Sequence, residues 1–199
     1  MVDWENAPTY ILAGGKSARL GRDKARVIVD GQTLVARLAK QVGASGVPVS
    51  LVADHEDRFA DLGLDCLVDA QCDAGPLAGL VTALRHRQKI RGAGWLLLLS
   101  CDSVQWDRSW LDTLLSQSQA EDCVVAYSRA CDVVLHPEPM PALYHTRLLD
   151  TAAEALHNSS RSLKSLIQRT GWKDAGPSPA AQWSFNTEEE LQRVLRKLQ

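Results

Sequence analysis

Short apolar runs alternate, through the first half of the chain, with segments whose apolar positions recur every three or four residues. The runs TYILA, VPVSLVA, DCLVD and WLLLLS predict strands, because apolar runs of this length are typical of buried strands. A helical period follows at Leu34, Leu38 and Val42, and a second helix is predicted over PLAGLVTALRH, where Pro76 suits the first helical position. This alternation indicates a doubly wound, mostly parallel sheet. WLLLLS is typical of a central strand covered on both faces.

The second half of the chain is less regular. CVVAYS and DVVLH predict two strands that are close in sequence and therefore antiparallel, and GPSPA at 176–180 is interpreted as a loop. Helices are predicted after Asp107, from Leu148 to Leu156 and over SLKSLIQR. Thr187 followed by Glu190 is a capping box, which predicts a last helix. No linker rich in Pro, Gly or Ser divides the chain, so residues 1–199 are expected to form a single domain.

The composition excludes several classes of protein. The 199 residues include 22 basic and 24 acidic side chains, and the net charge of −2 leaves no overall basic field for nucleic acid. The five cysteines are odd in number and have no C-x-x-C spacing, so neither a zinc site nor a disulfide framework is expected. No apolar run approaches the roughly 18 residues of a membrane span, and the first residues do not resemble a signal peptide. We therefore expect a cytoplasmic protein that binds neither nucleic acid nor membrane.

Glycine and positive charge are concentrated in LAGGKSARLGRDKAR at residues 12–26, directly after the first predicted strand. A strand, a glycine turn and a helix place backbone N–H groups at the carboxyl edge of a sheet, where ligands bind in open α/β folds. Gly14 and Gly15 have no Cβ, so an anion can approach the main chain closely. Arg and Lys side chains add the charge that suits phosphate oxygens, and Lys24 is expected to be exposed at the end of this loop. Neither the Walker A pattern nor G-x-G-x-x-G fits the spacing.

The glycine stretch matches a third pattern, L-A-G-G-x-S-x-R-[ML]-G-x-D-K. Three further segments occur in family order along the chain: GPLAGL at 75–80, LLLLSCDS, and FNTEEEL near the C-terminus. On these motifs, which span residues 10–191, the chain resembles the molybdenum cofactor guanylyltransferases among the small nucleotidyltransferases. The resemblance implies a Rossmann-like, doubly wound, mostly parallel sheet of the nucleotide-diphospho-sugar transferase type, with an antiparallel insertion in the second half.

The activity that the resemblance implies is transfer of GMP from GTP to the phosphate of the molybdopterin cofactor, with release of pyrophosphate. Mg²⁺ is the implied cofactor, GTP and molybdopterin are the implied substrates, and proteins that handle the molybdenum cofactor are further implied partners. Residues 1–104 would form the nucleotide-binding half and residues 105–199 the acceptor-side half. Gly15, in place of the alanine usual in related cytidylyltransferases, leaves room for the larger guanine base.

The same resemblance assigns the site residues. Nucleotide contacts are expected from Leu12, Ala13, Gly14, Gly15, Lys24, Asp69 and Asp102. Arg19 and Lys24 would neutralise the leaving pyrophosphate, and with Asp102, the expected Mg²⁺ ligand, they form the predicted catalytic set. Asn186 is expected on the acceptor side or near the metal. An aspartate after a strand and an asparagine before a helix cap are also common turn residues, so these assignments have a structural alternative.

Three positions depart from the family pattern. Val104 stands where the family has a proline after C-D, and Glu188 follows Thr187 where a proline is usual. The family often has an asparagine after the second strand, but SLVADHE contains none, so Asp54 or a backbone group would have to replace it. Two rival functions stay open: a nucleotidyltransferase for another base or acceptor, such as a cytidylyltransferase, and a nucleotide-binding module without catalysis. Turnover of GTP against CTP distinguishes the first rival.

Overall fold

A computed structural model describes residues 7–14, 20–69, 71, 74–131 and 134–198 of the chain. The strands, numbered along the chain, are β1 (Thr9–Leu12), β2 (Ile28–Val29), β3 (Gln32–Thr33), β4 (Val49–Ala53), β5 (Cys66–Val68), β6 (Trp95–Ser100), β7 (Val124–Cys131), β8 (Val134–His145) and β9 (Lys173–Pro177). β2 and β3 form a hairpin, and the other described strands form one sheet in the order β5-β4-β1-β6-β8-β7-β9. Neighbours are parallel except at β8, which is antiparallel to both β6 and β7. The predicted mostly parallel sheet with an antiparallel insertion is confirmed.

Helices cover both faces of this sheet. They are α1 (Leu34–Ala44), α2 (Pro76–Arg91), α3 (Arg108–Gln117), α4 (Leu149–His157), α5 (Leu163–Thr170) and α6 (Glu188–Arg196), with short 3₁₀ turns at Lys24–Arg26, Glu56–Leu62, Thr146–Leu148 and Ala180–Gln182. α1 and α3 pack on one face, whereas α2, α4 and α5 pack on the other. No helix in the described ranges combines the length and the apolar character that crossing a membrane requires.

The strand β6 explains why helices are needed on both faces. Leu97 and Leu99 lie in the core beneath α1 and α3, whereas Leu96 and Leu98 lie in the core beneath α2, α4 and α5. All four are at most 2% exposed. Because successive side chains of a strand point to opposite faces, an unbroken leucine run requires a covering layer on each side. Full burial of each leucine contributes about 1.5–3 kcal/mol, which fixes β6 at the centre of the sheet.

The C-terminal helix α6 packs against the segment that follows the glycine stretch. Its Leu191 and Val194 share a third core cluster with Phe185 and with residues of the β2–β3 hairpin. The predicted capping box is present, since the Thr187 side chain accepts from the Glu190 N–H and the Glu190 carboxylate accepts from the Thr187 N–H. The packing and the cap together hold the residues just before α6 close to the Lys24–Arg26 turn.

Strand β8 is longer than the sequence predicts. The run DVVLH predicted a strand that ends at His136, but β8 continues through three prolines. Its pairing register with β7 shifts between Ala126 and Ser128, which leaves residues 138–141 in a bulge. Two of the prolines fall in this bulge, where no ladder N–H is required. Because Ala142 pairs with Leu98 near the end of β6, this bulge lies at the carboxyl end of β6.

The loop prediction for 176–180 was wrong at its first two residues. Gly176 and Pro177 belong to β9, which lies at the edge of the sheet beside β7. An edge strand leaves one side of its backbone unpaired, so a proline at its end removes no required hydrogen bond.

Candidate active site

A cleft of about 530 Å³ opens at the carboxyl ends of β1, β4 and β6. Hydrogen bonds hold the backbone just beyond these ends, since the Ala13 N–H donates to the Val52 carbonyl and the Cys101 N–H donates to the Leu12 carbonyl. Five predicted nucleotide-binding residues line the cleft: Leu12, Gly14, Lys24, Asp69 and Asp102. Ala13 is buried in the core. Gly15 and Arg19 lie outside the described residues.

Lys24 joins the two halves of the chain at this cleft. Its Nζ donates to the Phe185 carbonyl at 2.8 Å and to Asn186 Oδ1 at 2.9 Å, and lies 3.3 Å from Asp102 Oδ2. The Lys24 side chain is only 14% exposed, so the expectation of an exposed lysine was wrong. The fold buries its stem because three oxygen acceptors surround its ammonium group. Three residues predicted from separate motifs, Lys24, Asp102 and Asn186, thus meet at one point.

The capping box of α6 places Asn186 for this contact. The Asn186 N–H donates to Glu190 Oε2 at 2.6 Å, while the Glu190 N–H donates to Thr187 Oγ1. The backbone hydrogen bond from Asn186 lowers the pKa of the Glu190 carboxyl, so this acceptor stays ionised at neutral pH. With its backbone fixed by the cap, Asn186 presents its amide oxygen to Lys24. The residue just before a surface helix therefore contacts a lysine that lines the cleft.

Asp69 follows β5 and lies between two glycines. A Cβ on Gly14 would lie 3.3 Å from Asp69 Oδ2, and a Cβ on Gly79 would lie 3.3 Å from Asp69 Oδ1 and 2.7 Å from a Leu12 methyl group. Asp69 Oδ1 is buried and has no hydrogen-bond partner among the described residues. Burial, and then the charge of Asp54, raise the pKa of Asp69 to about 6. A buried acceptor without a partner at a cleft wall is suited to a ligand that donates hydrogen bonds.

Arg58 is a cleft residue that the sequence motifs do not reveal. It lies in the Glu56–Leu62 turn, and its guanidinium group donates to Asp54 Oδ1 and, at 2.9 Å, to Asp23 Oδ2. Asp54, the sequence candidate to replace the family asparagine, does line the cleft. Burial, the largest single cause, would raise the pKa of Asp54, but the hydrogen bond and the charge of Arg58, with smaller contributions from the backbone and from His55, together outweigh it, so the pKa lies below its usual value. The four-residue spacing between Asp54 and Arg58 was the available sequence signal.

A smaller hollow of about 40 Å³ adjoins the cleft. Ser100, Asp102 and Met140 line both spaces. The other walls of the hollow come mainly from the second half of the chain, including Trp106, Trp110, Arg129, Glu138, Ser178 and Ser184. Arg129 and Glu138 form an ion pair at 3.0 Å beside it. Asp102 therefore stands between the large cleft of the first half and a hollow built mainly by the second half.

The cysteines near the cleft do not provide a nucleophile. Burial raises the pKa of the Cys101 thiol to about 12, and burial also raises the pKa of Cys66. Because the thiolate is the reactive form, a thiol with such a raised pKa is inert at neutral pH. Cys72 lies outside the described residues. Across the described ranges, no group of three or more His, Cys, Asp or Glu side chains is placed to hold a metal ion.

Comparison with known proteins identifies the family. A family model described as the MobA-like NTP transferase domain matches residues 9–175, most of the chain. This chain belongs to the MobA-like NTP transferase family. This MobA-like NTP transferase is 29% identical over 196 residues to the probable molybdenum cofactor guanylyltransferase of Opitutus terrae, and the match covers 94% of each protein. The family predicted from the four motifs is confirmed.

Solved structures with the same fold extend the comparison. The MobA-like NTP transferase matches the molybdopterin-guanine dinucleotide biosynthesis protein A of Archaeoglobus fulgidus with a TM-score of 0.79 and 19% identity, over 96% of this chain and 98% of that one. It also matches CMP:2-keto-3-deoxy-manno-octonic acid synthetase, solved in complex with CTP, with a TM-score of 0.70 and 13% identity over 98% of both chains. At these identities the likeness concerns the fold alone.

Proposed function

We propose that the chain transfers GMP from GTP to the phosphate of molybdopterin, forming the guanine dinucleotide cofactor and releasing pyrophosphate. The observation that carries this proposal is the meeting of Lys24, Asp102 and Asn186 beside a nucleotide-sized cleft that Lys24 and Asp102 line. Small-molecule sites usually enclose about 300–1,000 Å³, a range that includes this cleft. Family membership supports the same class of reaction.

The proposed chemistry needs positioning and charge neutralisation rather than a nucleophilic side chain. An acceptor phosphate oxygen attacks the α-phosphorus of GTP, and the bond from that phosphorus to the bridging oxygen of the β-phosphate breaks. No general base is required, because a phosphate monoester is largely ionised at pH 7. Lys24 offers a fixed ammonium group to the phosphates, and its burial strengthens that interaction. Arg19 is proposed to act with Lys24 on the leaving pyrophosphate.

The donor set at Asp102 fits a Mg²⁺ ion. The Asp102 carboxylate and the Asn186 amide oxygen both lie within 3.3 Å of the Lys24 ammonium, so hard oxygen atoms converge where a cation is already held. Mg²⁺ prefers such oxygen ligands and commonly takes one or two carboxylates together with phosphate oxygens and water. We propose Asp102 as its protein ligand, with Asn186 beside it. When bound, the ion would neutralise negative charge on the phosphates.

Asp69 supports guanine as the preferred base. The Watson–Crick edge of guanine carries two adjacent N–H donors, and an ionised carboxylate can accept both. Asp69 Oδ1 is buried without a described partner, and the absence of side chains at Gly14 and Gly79 lets the two backbones approach this carboxylate at the wall of the cleft. Adenine and cytosine offer a different arrangement of donors and acceptors, so a polar group of the site would stay unpaired with them.

The acceptor is proposed to bind mainly on the second half of the chain. The small hollow adjoins the cleft at Asp102, so an acceptor phosphate placed there would approach the α-phosphate from the side opposite the base. Arg129 offers a charge for an anionic group of the acceptor.

The proposal is tested by calorimetric titration with GTP, CTP and ATP, each with and without Mg²⁺, together with pyrophosphate release in the presence of molybdopterin. We expect the tightest binding for GTP with Mg²⁺, and pyrophosphate release that requires GTP, Mg²⁺ and the acceptor together. Equal turnover of GTP and CTP would favour the cytidylyltransferase alternative. Tight GTP binding without any pyrophosphate release would favour a nucleotide-binding module.

A further inference from the structure

Arg58 occupies an unusual position for a residue outside the sequence motifs. It lines the cleft, yet its side chain is only 13% exposed. Its two terminal nitrogens bond to two different carboxylates, Asp54 at the end of β4 and Asp23 immediately before Lys24. The guanidinium group also lies 5.5 Å from the centre of the Phe59 ring. A planar guanidinium that bridges two carboxylates and packs on an aromatic ring is held in one orientation.

A second arginine, from the Lys24–Arg26 turn, bonds back to the Glu56–Leu62 turn that contains Arg58. Arg26, at the other end of the Lys24–Arg26 turn, donates to both oxygens of Asp61 at 2.8 and 2.9 Å and to the Arg58 carbonyl at 2.6 Å. Lys24 therefore lies between Asp23 and Arg26, which are each hydrogen-bonded to the Glu56–Leu62 turn. The two turns are tied together on both sides of Lys24, which restricts the backbone from which its ammonium group reaches the site.

Arg58 also determines the charge that an incoming nucleotide meets. Four carboxylates of the described residues line the cleft, those of Asp23, Asp54, Asp69 and Asp102. Arg58 pairs with two of them, and Lys24 pairs with a third. Without Arg58, two partly buried carboxylates at the cleft would have lost this partner while facing a triphosphate. Like charges at short range repel, although water screens part of this repulsion because the Asp23 and Asp54 side chains are 28% and 44% exposed.

We infer that Arg58 is a positioning residue of the transfer reaction, which holds the Lys24 turn against the end of β4 and neutralises Asp23 and Asp54 so that the triphosphate can enter. This inference rests on the proposed function, because it concerns the same cleft. Arg58 makes an aspartate acceptable at position 54, where the sequence pattern leads one to expect a neutral asparagine.

The experiment compares Arg58→Met, Arg58→Lys and the double variant Asp54→Asn/Arg58→Met with the wild type. For each protein, GTP affinity is measured by calorimetry with Mg²⁺, and kcat and KM are measured from pyrophosphate release. Arg37→Met is the matched control, because Arg37 is similarly buried at 18% exposure and pairs with Asp30 at 2.8 Å, but is not among the described residues that line the cleft. Thermal unfolding is recorded for all variants.

We expect Arg58→Met to weaken GTP binding by about tenfold or more, because two carboxylates lose their partner. The double variant should bind GTP about threefold more tightly than Arg58→Met, although it carries one more mutation, because Asp54→Asn removes one of those charges. Arg58→Lys keeps the charge but cannot bridge two carboxylates, so GTP affinity should be largely retained while kcat falls. The Arg37→Met control should lower the unfolding temperature with kcat and KM close to wild type.

A double variant that binds GTP no better than Arg58→Met would overturn the inference, as would unchanged kcat and KM in Arg58→Lys and Arg58→Met. If Arg58→Met does not fold, the Arg58→Lys split between KM and kcat decides the question alone. An inactive wild type that binds no nucleotide would instead contradict the proposed function, and the inference, which rests on it, would also fail. The two failures are thus distinguished by the wild-type measurement.

Discussion

At the scale of single residues, the burial of Asp69 makes its charge sensitive to pH near neutrality. Burial and the neighbouring Asp54 charge raise its pKa to about 6. Because only the ionised carboxylate accepts two hydrogen bonds from guanine, we predict that GTP affinity decreases as the pH falls through about 6. Calorimetric titrations of wild type and Asp69→Asn between pH 5 and 8 measure this. The phosphate titration of GTP is common to both proteins, so parallel affinity curves would contradict the assignment.

The same shift in pKa predicts that the Asp69→Asn variant is at least as stable as the wild type at neutral pH. The pKa of Asp69 in the folded protein lies above the ordinary aspartate value of 3.8, so the protonated carboxyl contributes stability at low pH that is lost as the pH rises through about 6. At pH 7 the wild type therefore carries an unfavourable buried charge that the asparagine variant lacks. Loss of GTP binding by a variant at least as stable as the wild type would be due to the lost acceptor and not to unfolding.

Asp102 carries the predicted dependence on metal. Its carboxylate lines the cleft 3.3 Å from the Lys24 ammonium, and without a bound cation its negative charge would face the nucleotide phosphates. We predict that Asp102→Asn abolishes the gain in GTP affinity produced by Mg²⁺, while binding measured with a chelator stays the same or improves. Asp30→Asn, which removes an ion pair with Arg37 elsewhere, is the control. If Asp102→Asn keeps the wild-type response to Mg²⁺, the ion lies elsewhere, and Asp69 or Asn186 becomes the next candidate.

At the scale of helices and strands, the apolar pattern predicts those elements whose burial is decided by the local sequence. β1, β4, β6, α1, α2 and α6 all occur where the pattern places them. The extension of β8 and the strand β9 were missed, because prolines argue against a ladder. Their place in the sheet depends on a bulge opposite β7 and on an exposed sheet edge. Both are tertiary features that a short window of sequence does not contain.

The site follows the same division. Lys24, Asp102 and Asn186 were each predicted from a motif, and the fold brings them together across separations of 78 and 162 residues. Arg58 lies in no motif, and its contact with Asp23 spans 35 residues without a sequence signature. Motifs therefore predict residues that meet at one site, whereas residues that support them become visible only in the folded chain.

The N-terminus of α6 links stability to the site. Thr187 caps this helix, and the neighbouring Asn186 contacts Lys24. We predict that Thr187→Ala lowers the free energy of unfolding by about 1 kcal/mol, the usual value of such a cap, and also lowers kcat because Asn186 loses its fixed backbone. Urea unfolding and pyrophosphate release measure the two effects. Ser162→Ala removes the cap of α5, so it should lose similar stability with kcat unchanged. Equal loss of kcat in both variants would show that destabilisation alone is responsible.

At the scale of the whole molecule, both the sheet and the site cross the middle of the chain. β6 pairs with β8 over residues 95–98 and 142–145. Lys24 contacts Asn186, and Arg22 contacts Glu188 at 2.7 Å, so the glycine-rich segment is bonded to the start of the last helix. A boundary near residue 104 would therefore cut backbone pairing, core and site at once. We propose that the nucleotide binds on residues 1–104 and the acceptor mainly on residues 105–199. This arrangement does not require two separately folded domains.

We accordingly predict that residues 1–199 unfold in one cooperative transition, which limited proteolysis and thermal unfolding can test together. Cleavage between β6 and α3 should produce fragments that do not stay folded, since β6 would lose its partner β8. GTP with Mg²⁺ should slow cleavage in both halves, because a ligand at 100 times its Kd stabilises the whole folded state by about 2.7 kcal/mol. Protection confined to the first half, or two fragments that each remain folded and resistant, would contradict this prediction. The chain would then consist of two separate domains, linked by the contacts of Lys24 and Arg22.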